Sequence, residues 1–128
     1  MREILFRGKR IDNGEWLEGN IIINHDFVAI MSYSGCQYWH DIIEVNSSTI
    51  GQFTGLTDKN GVKIFEGDIV EVDHDSLYGA RGAVFFDKGV FMVNNVSNVL
   101  SLYGLLPWCE VIGNIHDNPE LVEVSGDD

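Results

Sequence analysis

Asp12-Asn13-Gly14-Glu15-Trp16-Leu17-Glu18-Gly19-Asn20-Ile21-Ile22 returns later in the chain as Asn60-Gly61-Val62-Lys63-Ile64-Phe65-Glu66-Gly67-Asp68-Ile69-Val70. Each copy reads as an Asn-Gly turn, a short partly apolar run, a Glu-Gly kink followed by Asn or Asp, and a β-branched strand. The sequel recurs too, as Asn24-His25-Asp26 and Asp73-His74-Asp75. Asn-Gly favours a two-residue hairpin turn, because both central positions of that turn need positive φ. The repeat predicts an all-β chain with internal pseudo-symmetry. It is an architectural signal and identifies no reaction.

Working outward from the repeat, glycines such as Gly35, Gly51, Gly55, Gly79, Gly82, Gly89, Gly104 and Gly113 punctuate the chain at about strand spacing. Short runs between them read as strands over Trp16–Ile23, Phe27–Tyr33, Ile42–Val45, Thr49–Thr54, Asp68–Val72, Gly82–Phe86, Val90–Val93 and Trp108–Ile115. Ile69-Val70-Glu71-Val72-Asp73 sets apolar against acidic residues, as a half-buried strand does. Asp87-Lys88-Gly89 predicts a three-residue hairpin loop with Gly in the left-handed position. Helical signals are weak: a turn or two over Val96–Leu102, and Asn118-Pro119-Glu120-Leu121 with Asn as cap and Pro first in the helix.

The 128 residues suit one domain or a domain with a small subdomain, and a hydrophobic fraction of 45% suffices for a core. No apolar run approaches the roughly 18 residues of a membrane helix. The opening Met1-Arg2-Glu3-Ile4-Leu5-Phe6-Arg7 lacks the form of a signal peptide, so the expected location is the cytoplasm. Cys36 and Cys109 stand in no metal-ligand spacing, and two reduced thiols are expected. A net charge of −12 with only eight Lys and Arg argues against direct nucleic-acid binding. It suits solubility, a basic protein partner, or mimicry of a nucleic-acid surface.

Three stretches resemble a known family. They are Val45-Asn46-Ser47-Ser48-Thr49-Ile50-Gly51-Gln52-Phe53-Thr54-Gly55-Leu56-Thr57-Asp58-Lys59-Asn60-Gly61, then Ile64-Phe65-Glu66-Gly67-Asp68-Ile69-Val70, then Glu110-Val111-Ile112-Gly113-Asn114-Ile115-His116-Asp117-Asn118-Pro119-Glu120-Leu121. In order and spacing they resemble the YopX-like family of bacteriophage and prophage proteins, and Phe6-Arg7-Gly8-Lys9 through Gly19 is similar to that family's start. The resemblance implies an all-β, SH3-type barrel assembly in a phage setting. It supplies no catalytic or binding residues. Asp73 through Leu106 is the stretch it does not match, where a protein-specific role would lie. It also makes sense of Gly67-Asp68 as a strand start, with Gly taking awkward dihedrals and Asp bonding backbone amides.

Every histidine precedes an aspartate: His25-Asp26, His40-Asp41, His74-Asp75 and His116-Asp117. Imidazole and carboxylate together suit zinc, iron or manganese. Neighbours on a strand point to opposite faces, however, so such a pair cannot easily clasp one ion. For His25 and His74, at equivalent repeat positions, turn hydrogen bonding is the plainer reading, and Asp117 or Asn118 is expected to cap the last turn. A Cys36–His40 dyad can be drawn in Gly35-Cys36-Gln37-Tyr38-Trp39-His40-Asp41, against which stands a loop anchored by Tyr38 and Trp39. Gly79-Ala80-Arg81-Gly82 lacks the Lys and Ser/Thr of a phosphate loop. Trp16, Trp39, Trp108, Tyr33, Tyr38, Tyr78 and Tyr103 could line a peptide groove, though most such rings are core. Glu66, Asp68, Glu71, Asp73 and Asp75 alternate along a strand, and the expectation is a solvated acidic face.

The resulting expectation is all-β: an N-terminal β subdomain over residues 1–45, an SH3-like barrel over 46–123, and a frayed tail over 124–128. No catalytic, cofactor or metal residues are assigned and no cofactor is expected. Functionally the reading is a non-enzymatic phage or prophage accessory protein that binds a host or phage protein, with self-association also in play. Three alternatives stay open, an acidic nucleic-acid mimic, a metal-dependent enzyme using His-Asp pairs and a structural virion component.

Overall fold

Burial along Asp68-Ile69-Val70-Glu71-Val72 spares only Glu71, so this strand is covered on both faces rather than one. Such a strand belongs in the middle of a sheet, and its neighbours put it there. The structure, a computed structural model, describes residues 3–32, 41–74, 77, 79–94 and 99–122. Its strands are β1 (Phe6–Lys9), β2 (Trp16–Ile23), β3 (Val28–Ser32), β4 (Asp41–Glu44), β5 (Gly51–Thr57), β6 (Lys63–Phe65), β7 (Asp68–Val72), β8 (Ala80–Asp87), β9 (Val90–Asn94), β10 (Val99–Ser101) and β11 (Cys109–Asn114). A single helical turn, α1 (Leu102–Leu105), precedes a 3-10 turn at Leu106–Trp108; others lie at Ser47–Thr49 and Pro119–Val122.

The strands form two antiparallel sheets, in the orders β4-β3-β2-β1-β5-β6 and β10-β9-β8-β7-β11. The all-β expectation holds. The barrel does not: each order has two ends, and neither sheet closes. In the second sheet the physical reason is the segment joining its two edge strands. Instead of letting β10 meet β11, it turns helical and sends Leu102 and Leu105 into the core. The chain divides into compact units at Met1–Phe53 and Thr54–Asp128, within β5, where the expected border followed residue 45.

In the first unit, β1 pairs with β2 (Phe6↔Gly19 to Lys9↔Trp16) and with β5 (Phe6↔Gln52, Arg7↔Gly51). A lone bridge, Arg10↔Val45, brings the end of β4 back to the continuation of β1. The corner between them is knit by Thr49, whose buried hydroxyl accepts from Lys9 N at 2.9 Å and donates to Asn46 O at 2.6 Å. Ala29, Ile30, Val45 and Phe53 are buried here. In the second unit, Ile64, Val70, Val72, Val84, Val93, Leu102, Leu105 and Cys109 form one buried cluster, with Phe91, Leu100, Trp108 and Val111 packed on it.

The repeated phrase does not become a repeated structure. Glu66-Gly67 is a turn with Gly67 at φ 89°, and it separates β6 from β7. Glu18-Gly19 lies inside the continuous β2, where a Cβ on Gly19 would collide with the Met31 carbonyl of the neighbouring strand. One glycine supplies a dihedral, the other a close approach. The Asn-Gly turns differ as well. Only Gly14 (φ 75°) and Gly61 (φ 82°) are left-handed, whereas Asn13 and Asn60 are not. At the second turn Gly61 N donates to Asp58 O (3.0 Å) and Asp58 N to Val62 O (2.9 Å), a tight turn closed by a left-handed glycine. The two-residue turn with both φ positive occurs at Lys88-Gly89 (51° and 82°), because Asp87 pairs directly with Val90. The expected three-residue loop there is therefore one residue too long. Of the expected Val96–Leu102 turn, residues 95–98 lie outside the described set, Val99–Ser101 is strand, and the helix starts at Leu102.

Asp58 joins this turn to the far end of the second unit. Only 5% exposed, its carboxylate accepts from Asn60 N (2.8 Å), Val62 N (3.0 Å) and Val111 N (2.9 Å). Lys59 N donates to Cys109 O beside it at 3.0 Å. Burial opposes ionisation of Asp58, but these amides outweigh it and hold the carboxyl below its ordinary value.

Two predictions follow from these turns. A carboxyl held low in the folded state stabilises above its unfolded value of about 4, and that stability disappears as pH falls through the folded value. Asp58→Asn, which sets an amide NH2 against backbone donors, should lose about 1–3 kcal/mol at neutral pH and show a flatter acid limb in urea unfolding between about pH 5 and pH 2. Lys88→Asn should raise the urea midpoint by the equivalent of about 0.5–1 kcal/mol, because Asn tolerates the left-handed conformation that Lys resists. An unchanged midpoint would mean that the turn carries no strain.

Candidate functional site

The first unit holds a groove of about 470 Å³, lined by Ile11, residues 24–28 and residues 44–47. That is the size of ordinary ligand sites. One wall is the β2–β3 turn. Asn24 Oδ1 accepts from Asp26 N (2.8 Å) and Phe27 N (3.0 Å), while Asn24 N donates to Phe27 O (3.1 Å). This side-chain-closed turn fixes His25, Asp26 and Phe27 in order around the rim. The other wall is the end of β4, where Val45 N donates to Val28 O (2.9 Å) and Asn46 N to Lys9 O (2.8 Å). Asn46 Oδ1 accepts from Ser48 N and Oγ. Ile11 is pinned across the top by its amide, which donates to Glu44 O at 3.2 Å, and its side chain is 59% exposed.

The groove's electrostatics are one-sided. Its lining carries Asp26 and Glu44 and no Lys or Arg. Neither carboxylate has a hydrogen bond or ion pair among the described residues. Arg10, next to Ile11, is engaged by Asp12 through Nε (2.8 Å) and Nη2 (2.6 Å), and this hydrogen bonding keeps the Asp12 carboxyl below its ordinary value. The nearest cation in sequence is thus already committed.

The second unit offers a smaller recess of about 320 Å³ lined by Lys59, Glu71, Val72, Asp73, Gly79 and Glu110, with Arg81 bonded to Glu71 at 2.9 Å. It also carries an apolar hairpin tip. Phe86 and Phe91 are cross-strand partners in edge-to-face contact (5.0 Å), yet Phe86 stays 52% exposed, and Val90 is exposed beside them.

The histidines go to separate places. His25-Asp26 lines the groove. His74 follows β7 and stacks on Trp108 (ring centres 4.0 Å apart, 17° between planes). His116 follows β11, where the amides of His116 and Asp117 both donate to Asn114 Oδ1 at 2.9 Å. Because β7 and β11 are antiparallel, His74 and His116 lie at opposite ends of that pair. Among the described residues no three His, Cys, Asp or Glu side chains gather as metal ligands. His40, Cys36 and hence the drawn dyad lie outside the described residues, as do Tyr33, Tyr38, Trp39, Asp75 and Tyr78.

Cys109 is a free, fully buried thiol; burial, then the charge of Asp58, pushes it up to about 11, the reverse of nucleophile activation. Trp16 lies under Arg7 and Lys9, whose cationic groups are 4.8 and 5.6 Å from its ring centre. Tyr103 is 74% exposed. The acidic run does not form one face. Asp68 is buried and accepts from Phe65 N (2.8 Å), as the structural reading of Gly67-Asp68 expects, whereas Glu71 points the other way to Arg81. Sequence reasoning passed over Ile11, Phe27 and Glu44. The available signal was Ile11 itself, an apolar side chain placed between Arg10 and Asp12 at the lip of a turn.

Comparison with known proteins adds family and fold. The model of the family described as YopX protein matches residues 6–123. Among solved structures, the crystal structure of protein EF1440 from Enterococcus faecalis is similar: 31% identical, TM-score 0.63, covering 96% of this chain and 100% of that one. No curated protein matches. With nearly its whole described length matched, the chain belongs to the YopX protein family.

Proposed function

We propose that this YopX-family chain is a non-enzymatic accessory protein of a phage or prophage, acting in the bacterial cytoplasm by binding a host or phage protein. The observation that carries this reading is the hairpin tip of the second unit. Phe86 and Phe91 share a face with Val84 and Val93, the buried pair further down the hairpin. The apolar face therefore continues past the core into solvent. Covering a large aromatic side chain stabilises by about 1.5–3 kcal/mol, and partly uncovered aromatics on a rigid two-strand support are what protein interfaces use as anchors. The exposed Val90 extends the same tip. Cys109, buried and with its thiol pushed to about 11, contributes core packing rather than a nucleophile.

A second reading, mimicry of a nucleic-acid surface, draws on Glu71, Asp73 and Glu110 around one recess and on the net charge of −12. Both readings face one experiment: affinity capture from phage-infected host lysate, with and without nuclease, using the natural chain and Phe86→Ser/Val90→Ser. The expected result is a stoichiometric protein that survives nuclease and is reduced at least about tenfold by the double substitution, the loss of one anchor's worth of interface energy. A nucleic-acid-binding protein that persists with the hairpin variant but is lost with Glu71→Gln/Glu110→Gln would favour mimicry instead. Identical capture by all three chains would discard both surfaces.

A further inference from the structure

We propose that the groove of the first unit is a receptor for an arginine or lysine side chain presented by an extended basic segment of a partner protein. Three features of the groove converge on that occupant. Its formal charges are both negative, Asp26 and Glu44, and the adjacent Arg10 is held by Asp12. Exposed apolar side chains, Ile11 and Phe27, flank those carboxylates. The walls are closed by backbone and Asx hydrogen bonds, so the cavity is supported without a ligand.

An arginine or lysine side chain has the matching form: an apolar stem that lies along aliphatic or aromatic surface and a cationic head that seeks carboxylates. Phe27, exposed on the groove's lining, supplies an aromatic surface for the cation or its stem. An acidic ligand would meet uncompensated repulsion from Asp26 and Glu44. A purely apolar one would strip water from both carboxylates without replacing it. The net charge of −12 gives the whole chain a long-range attraction for a basic segment, which speeds encounter before the groove selects. The site uses none of the hairpin residues invoked above, so either assignment can fail without the other.

The test is a fluorescence-anisotropy titration of a dye-labelled peptide alternating arginine and leucine. A matched peptide carries citrulline, the uncharged near-isostere, and free arginine serves as competitor. The arginine peptide should bind the natural chain, and the citrulline peptide at least about fivefold more weakly, the upper range for one exposed ion pair. Asp26→Asn and Glu44→Gln should each weaken binding about two- to fivefold, and raising salt from about 50 to about 300 mM should weaken it further. Both carboxylates are exposed, so these variants keep the fold, which circular dichroism would verify. Ile11→Ser should weaken both peptides together, whereas Phe86→Ser should leave binding unchanged. Amide chemical-shift changes should map to residues 24–28 and 44–47. Equal binding of arginine and citrulline peptides, or carboxylate variants that bind like the natural chain, would overturn the proposal. So would the absence of peptide binding. Free arginine competing as well as the peptide would reassign the groove to a small cation and overturn the partner-segment assignment.

Discussion

The carboxylate of Asp58 is the interaction on which the second unit depends. Its two oxygens receive three backbone amides, two from its own turn and one from Val111 on β11, 53 residues away. A local turn and a distant edge strand are thereby specified by one group. Sheets tolerate slippage where nothing pins their register. Here the pin is a buried charge satisfied by oriented dipoles, a form of charge-assisted bonding stronger than neutral pairs. The same charge bears on the neighbouring Cys109, whose thiol is driven up by burial and then by Asp58. Stabilising the turn and quieting the cysteine are two effects of one side chain.

What could be read in advance divides along the line between local and non-local physics. Trp16–Ile23 and Asp68–Val72 were expected as strands at the boundaries observed, because β-branched runs between turn residues carry their own signal. Phe6–Lys9 carries no such signal, with Arg7 and Lys9 flanking Gly8. It becomes a strand because β2 and β5 both supply partners to it. The repeated Glu-Gly shows the limit most clearly. The same dipeptide is a turn at Gly67 and an extended crossing at Gly19, and only the Met31 carbonyl opposite explains the second. Tertiary context overrode an identical local text.

The groove was illegible for the same reason. Ile11, the Asn24 turn and Glu44 come from separate stretches and meet through the Arg10↔Val45 bridge, a pairing that no window of sequence announces. His25-Asp26 was singled out as part of a recurring dipeptide, and one copy does line the groove, but as an element of a turn rather than as a member of a four-histidine design. The aromatics split similarly. Trp16 lies under cations and Trp108 under His74, while Phe86, which drew no notice as a site residue, is open to solvent, as is Tyr103. Chemistry-bearing residue types were a poor guide because their roles are set by which strand edge they reach.

The division of the chain falls inside a strand, with Gly51–Phe53 of β5 on one side and its remaining residues on the other. Genes that exchange modules by recombination keep products that fold when the crossover lies in a loop, where few contacts are cut. A crossover at this boundary would instead join two halves of one strand from different ancestors. The strand itself changes phase there: Gly51 and Phe53 are buried before the division, whereas Thr54 and Leu56 are more covered than Gly55 and Thr57 after it, with Gly55 at φ 85°. A join there would have to reproduce that change of phase, a demand that a crossover in a loop does not make.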